Sequence, residues 1–182
     1  MERSQEIGAL EPSLVYLNGE LQSVGGYFPT IYNVFLYLFP FSFFLPLKAR
    51  KKIRSIALYP QDLSGAEMDL DYITGAAMFL RKKALDEVGL LGEGYFMYFE
   101  ETDLCWRLKE KGWIVKAIKT EPVMHIYGGS FKNKFDAGRL KIFLTSLKVF
   151  VNKNYHGISK YIILAEVNLF GFISVWLKGL KK

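Results

Sequence analysis

Apolar residues gather along this chain in blocks whose spacing changes from one segment to the next. Leu14–Leu17 reads as a strand, Asn18-Gly19 as a tight turn and Glu20–Val24 as the returning stretch, until Gly25-Gly26 breaks the pattern. Ile31–Leu47 follows as 17 residues without a charge. A membrane-spanning helix needs about 17 to 25 apolar residues. Pro40 interrupts this run and Pro46 nearly ends it, and proline removes a backbone donor and breaks helix geometry. The run is therefore expected to lie in a membrane interface or under a neighbouring domain. Asp71–Arg81 reads as one buried strand with a Gly-Ala-Ala centre, and Lys82–Val88 as a short helix closed by Gly89. Trp113–Ile118 and Pro122–Tyr127 read as two strands, and Gly128-Gly129-Ser130 as a flexible loop. Asp136–Asn152 is an amphipathic helix. Ile158–Leu180 is an almost uniformly apolar one, with Glu166 and Asn168 as exceptions. There is no internal repeat and no low-complexity tract.

The clearest helix is Glu100–Lys111. Its first turn holds Glu100, Glu101 and Asp103, its second half holds Arg107, Lys109 and Lys111, and Gly112 follows as the stop. Acid first and base last complements the helix dipole. Residues three, four and seven apart share a face. From Glu101 that face is Leu104, Cys105 and Leu108, so Glu101 heads the inward stripe. Asp103 and Arg107, four apart, are expected to pair. Two readings fit Glu101: an acid of a solvated helix start, or a carboxylate at the edge of an apolar pocket suited to general-base chemistry. Tyr95–Phe99, just before it, reads either as core packing or as rings beside acids that hold a sugar. His125, late in an apolar strand, is either a satisfied core histidine or a ligand. His156 reads as a surface residue.

Composition narrows the class. Hydrophobic residues make up 51% of 182, with 15 Phe and 11 Tyr, which is too apolar for disorder and enough for one domain with a core. The net charge of +6 is unevenly placed: Lys48–Arg54 follows one apolar stretch, and Lys178, Lys181 and Lys182 follow another. Basic clusters beside apolar runs suit anionic lipid headgroups, and no nucleic-acid partner is expected. One cysteine, Cys105, leaves no internal disulfide and suits a reducing cytosol. Met1–Leu10 lacks the apolar core of a signal peptide, so none is expected.

Three blocks carry a family resemblance. Asp71–Gly89, Tyr95–Gly112 and Pro122–Ser130 together resemble, in order and spacing over about sixty residues, the middle of family 2 glycosyltransferases, especially the rhamnosyltransferase-like branch. Gly8–Pro12 through Asn18-Gly19, and Gly26–Thr30, resemble the preceding stretch more loosely. The resemblance implies a GT-A fold, an α/β class. It implies inverting transfer of a sugar from a nucleotide-sugar donor to a hydroxyl of a saccharide or lipid-linked acceptor, as in polysaccharide biosynthesis. Glu100-Glu101 stands where the family carries Glu-Asp, so Glu101 matches the base, one bond longer than usual. Asp103 matches a supporting acid. His125, 24 residues later, matches the histidine that joins a divalent ion, Mn2+ or Mg2+, on the diphosphate. Thr74, Gly75 and Ala76 match a segment near the donor sugar, and Tyr98 is expected beside the substrate.

The family's nucleotide-binding βαβ half, ending in an Asp-x-Asp metal motif, should come first, and residues 1–13 resemble the point where it ends. Asp69-Leu70-Asp71 spells the same string on the wrong side of the match. The expectation is therefore a truncated or split transferase. Residues 1–135 would be a partial GT-A domain with an apolar insert at 31–47, and 136–182 a helical, membrane-associated segment. A separate N-terminal half is an expected partner. The chain is expected to be cytoplasmic and peripheral on the inner face of the cell membrane. The alternative is a non-catalytic membrane-surface protein derived from such an enzyme.

Overall fold

The structure is a computed structural model that describes residues 1–2, 4–38, 45–46, 48–49, 66–126 and 137–179. In chain order the strands are β1 (Ile7–Val15), β2 (Gly25–Gly26), β3 (Glu67–Asp69), β4 (Tyr72–Ile73), β5 (Phe79–Leu80) and β6 (Ile114–Met124). The helices are α1 (Ile31–Leu38), α2 (Lys82–Val88), α3 (Glu100–Glu110), α4 (Ala137–Asn154) and α5 (Gly157–Gly179). The described residues thus form a mixed α/β protein. They fall into two compact units. The first holds the described residues within 1–28, 66–93 and 100–126; the second holds those within 29–49, 94–99 and 137–179.

In the first unit β1 is one of the two inner strands of a sheet ordered β3-β6-β1-β5. It runs parallel to β6 and antiparallel to β5, while β3 closes the other edge antiparallel to β6. Every residue of β1 before Val15 is buried, as expected of a strand covered on both faces. Ala9 and Leu14 of β1, Val115 and Ala117 of β6, and Leu104, Cys105 and Leu108 of α3 join Ile73 and Leu70 in one core. α3 ends as its composition predicts: Gly112 takes a positive φ of 82° and the chain turns into β6. α2 ends likewise at Gly89, whose N–H donates to Leu85 O at 2.8 Å.

Three local readings change. The predicted hairpin keeps its turn: Asn18 Oδ1 accepts from Glu20 N at 3.1 Å and Gly19 has a φ of 81°. Its first strand, however, starts at Ile7, and the return reduces to a single bridge between Val15 and Leu21. Asp71–Arg81 is not one strand. Tyr72–Ile73 pairs with Gly25-Gly26, the chain turns at Gly75-Ala76, and Phe79–Leu80 pairs with β1. β6 runs unbroken through Pro122, because β1 supplies partners on both sides of it, Pro12 to Ile118 and Leu14 to Val123. The β2–β4 contact explains Gly25: a Cβ there would stand 2.2 Å from Tyr72 O and 2.9 Å from Ile73 Cα.

The second unit is helical. α5 packs on α1 and α4 through its Ile163, Val167 and Gly171 face, and Gly171 leaves room for Leu144. Phe35 of α1 meets Phe170 edge-on at 5.6 Å, and Ser174 Oγ donates to Leu38 O at 3.2 Å. The opposite face of α5 presents Ile158, Tyr161, Leu169, Phe172 and Trp176 to the outside. Gly157–Leu177 is long and apolar enough to cross a membrane by length and composition. Of the apolar run 31–47, Ile31–Leu38 forms α1. Residues 39–44 and 47 lie outside the described residues, as do most of the basic run 48–54 and the Gly128–Ser130 loop.

Candidate active site

The candidate site lies in the first unit, where α3 packs on β1 and β4. α3 brings Glu100 and Glu101 in its first turn, and β1 brings Glu11. The inward stripe read from helical spacing is present: Leu104, Cys105 and Leu108 are all fully buried behind Glu101. Glu101 Oε2 is shielded from solvent and has no hydrogen-bond partner, and the same holds for Glu100 Oε2 and Glu11 Oε2. Burial, then the neighbouring Glu100 charge, pushes the Glu101 carboxyl up to about 8. Backbone N–H bonds at Glu101 and Thr102 pull the other way, while the charge of Glu11 adds to the rise. That value lies close to neutrality, where a carboxylate can both take and release a proton.

Glu11 is absent from the sequence-derived site and is wholly buried, at 0% exposure. Its Oε1 accepts from Thr74 Oγ1 at 2.6 Å and from Ala77 N at 3.2 Å. This clamp is why the chain turns at Gly75-Ala76 instead of running on as a strand. Burial pushes the Glu11 carboxyl up to about 7 despite those bonds. One signal could have found it: a lone carboxylate within an otherwise uncharged nine-residue strand. Thr74, Gly75 and Ala76 thus lie beside this carboxyl, and the Cβ direction at Gly75 is open space.

The remaining expected residues divide. Asp103 is fully buried and accepts from Arg107 Nε at 3.0 Å, as its spacing predicts. Arg107 also donates from Nη1 to Val88 O and from Nη2 to Leu90 O at 2.8 Å, so the pair ties α3 to the end of α2. Asp71 takes Phe28 N at 2.9 Å and Lys109 Nζ at 2.6 Å, and Asp69 lies 3.4 Å from Lys116 Nζ. The Asp69-Leu70-Asp71 string is thereby spent on structural pairs. His125 lies across the β1–β6 end: its Nδ1 is 2.9 Å from Gln22 Oε1, and Gln22 Nε2 donates to His125 O at 2.6 Å. Among the described residues no three His, Cys, Asp or Glu side chains gather as a metal site. His125 alone does not complete the coordination of a divalent ion. Tyr98 belongs to the second unit, where its ring meets Phe143 edge-on at 5.9 Å. Tyr98 and Phe99 both take positive φ, 67° and 71°, immediately before α3. Such conformations cost L residues about 1–2 kcal/mol each. In the second unit Phe99 is held between Phe143 and Phe150, at 5.2 and 5.5 Å.

Glu11, Glu100 and Glu101 thus each carry a shielded carboxyl oxygen without a hydrogen-bond partner on this α/β framework. No protein-family profile matches the chain. The chain is 34% identical over 79 residues to the low-salt glycan biosynthesis hexosyltransferase Agl10 of Haloferax volcanii, covering 38% of this chain and 25% of that protein. It is 33% identical over 63 residues to the N-acetylglucosaminyl-diphospho-decaprenol L-rhamnosyltransferase of Mycobacterium tuberculosis, covering 35% of this chain and 20% of that protein. The similarity thus spans a quarter or less of each relative's length. Both of those relatives are glycosyltransferases.

Proposed function

We propose that the chain is the acceptor-side part of an inverting, family 2-like glycosyltransferase of GT-A type, with Glu101 as its base. The observation that carries this reading is the Glu101 carboxyl: shielded, with an unpartnered oxygen, and raised to about 8 by burial and by its acidic neighbours. In the reaction, Glu101 takes the proton of the acceptor hydroxyl as that oxygen bonds to the anomeric carbon of the nucleotide-sugar. The bond from that carbon to the diphosphate breaks, and the nucleoside diphosphate leaves with the electron pair. Thr74, Gly75 and Ala76 border the sugar, with the open space at Gly75 in support. Asp103 holds α3 in register through Arg107, and Glu100 raises the basicity of Glu101. The donor-binding half is to be supplied by another segment. A divalent ion, Mn2+ or Mg2+, would need ligands beyond the described residues, with His125 as this chain's contribution. The outward apolar face of α5 supports attachment to the inner face of the cell membrane and a lipid-linked acceptor.

The test is transfer of labelled sugar, from a panel of nucleotide-sugars, to lipid-linked saccharides by the chain expressed with a donor-binding segment. Removing a general base costs about 10²- to 10⁴-fold, so Glu101→Gln should lose at least about 100-fold in kcat with folding unchanged. Equal turnover by Glu101→Gln and the parent would remove Glu101 from this role. The same apolar face of α5 is also what a non-catalytic membrane-surface protein would carry. That second reading predicts vesicle binding with no transfer in any pairing.

A further inference from the structure

Within the second unit α5 has two faces with different surroundings. Ile163, Val167 and Gly171 are buried against α1 and α4, where Phe170 meets Phe35 at 5.6 Å and Ser174 Oγ donates to Leu38 O at 3.2 Å. On the other side Ile158, Tyr161, Ala165, Leu169, Phe172 and Trp176 are exposed. Each follows the last by three or four residues, so together they form one unbroken stripe along the helix. At 1.5 Å per residue the stripe is about 27 Å long.

Charge says what covers this stripe. From Ala137 to Lys182 the chain carries eight Lys and Arg and a single acid, Glu166. Residues 1–136, with sixteen bases and seventeen acids, are close to neutral, so the chain's excess positive charge resides in the helical segment. Lys153 and Lys160 lie near one end of the stripe, and Lys178, Lys181 and Lys182 follow its other end in sequence. An apolar stripe with cations at both ends matches a bilayer with anionic headgroups. A second copy of this segment would set like charge against like charge.

Two features decide how α5 meets such a bilayer. A spanning α5 would put Glu166, tenth of the 21 residues Gly157–Leu177, near the hydrocarbon centre, where an ionised side chain is costly. It would also draw in α4, which packs on it and carries Arg139, Lys141, Lys148 and Lys153 from end to end. The alternative is to strip Ile163, Val167 and Gly171 of their partners. Lying flat demands neither: α1 and α4 stay on the water side, Glu166 stands off the stripe, and the stripe alone enters lipid.

We propose that α5 is an in-plane anchor: it lies flat on an anionic lipid bilayer, with the stripe from Ile158 to Trp176 in the acyl boundary and α4 packed on its water side. The inference rests on the membrane attachment proposed above and is independent of the role of Glu101.

The experiment places a nitroxide label on the full chain in four separate variants, Ile158→Cys, Ala165→Cys, Leu169→Cys and Trp176→Cys. Cys105, wholly buried, stays in place. Label depth is read by electron paramagnetic resonance, from accessibility to oxygen against a nickel complex. The vesicles are phosphatidylcholine with phosphatidylglycerol, and phosphatidylcholine alone. On the mixed vesicles all four labels should sit about 5–10 Å into the headgroup–acyl boundary, as for an interfacial helix. Binding should weaken at least about tenfold on phosphatidylcholine alone. Depths that run through the bilayer, separating Ile158 from Trp176 by about 27 Å, would keep the attachment and overturn the flat lie. Equal binding to both vesicle types would overturn the anionic partner. No binding to either would sink the attachment and this inference together, and a doubled mass in sedimentation would then give the stripe to a second copy. If one variant does not fold by circular dichroism, the other three still define the line. Transfer by Glu101→Gln is measured separately, and neither result changes any of these outcomes.

Discussion

The buried Glu11 carboxyl makes stability fall as pH rises. Its acidity moves from 4.5 in the unfolded chain to about 7 in the folded one, chiefly through burial. Between those values the native state holds a proton that the unfolded state has released, so unfolding gains with each step up in pH. The contribution is intact below pH 4.5 and is lost progressively as pH rises to about 7. A shift of that size corresponds to about 3 kcal/mol, most of it falling between pH 5 and 8. Glu11→Gln keeps the acceptor that Thr74 and Ala77 use and cannot ionise. Its amide leaves buried N–H groups in place of Oε2, which costs about 1–3 kcal/mol at every pH. The diagnostic quantity is thus the slope with pH, not the absolute stability. Urea unfolding of both proteins at pH 5 and pH 8, followed by tryptophan fluorescence, measures it. The parent should lose about 2–3 kcal/mol more than Glu11→Gln over this interval. With a urea slope of about 1–3 kcal/mol per molar, the midpoints should diverge by about 1 M or more. Parallel pH dependence in the two proteins would refute the claim that burial expels this charge.

Gly25→Ala drives a Cβ into the β4 backbone at Tyr72 and Ile73 and should cost about 3 kcal/mol. Gly171→Ala meets only the movable end of Leu144, 2.9 Å away, and should cost about 1 kcal/mol; similar thermal midpoints for the two variants would contradict this contrast. Asp103→Ala removes the buried acceptor of Arg107 Nε, leaves the guanidinium its two carbonyl partners, and should cost about 1–3 kcal/mol in urea unfolding, with Asp103→Asn recovering part of it. Replacing Phe172 and Trp176 together with serine should abolish flotation with anionic vesicles while leaving the helical circular dichroism intact, because both rings lie on the outward face of α5. Undiminished flotation would take that face out of membrane contact.

The parts of the fold legible in the sequence are those decided locally. α3 is announced by its acids, its bases and Gly112, and the Asp103–Arg107 pair follows from helical spacing alone. Glu101 stood apart from Glu100 and Asp103 by the same arithmetic. What escaped depends on partners distant in the chain. Glu11-Pro12 in the middle of β1 argues locally against a strand, since it brings a charge and a missing donor. The strand persists because β6 pairs along it and absorbs an irregularity between Pro12 and Leu14. The break at Gly75-Ala76 is invisible without Glu11, which pulls Thr74 and Ala77 onto its carboxyl from 63 and 66 residues away. Pro122 suggested two strands where β1 supports one.

Cys105 carries a practical consequence. It is the chain's one cysteine, it lies wholly buried on α3, and its thiol is pushed up to about 12. Thiolate is the reactive form, so an alkylating reagent at neutral pH meets an inert sulfur until the helix lifts from the sheet. The labelling rate of the unaltered protein is therefore a stopwatch on that lifting. It times, without any substitution or probe, how often the segment that bears Glu101 comes loose.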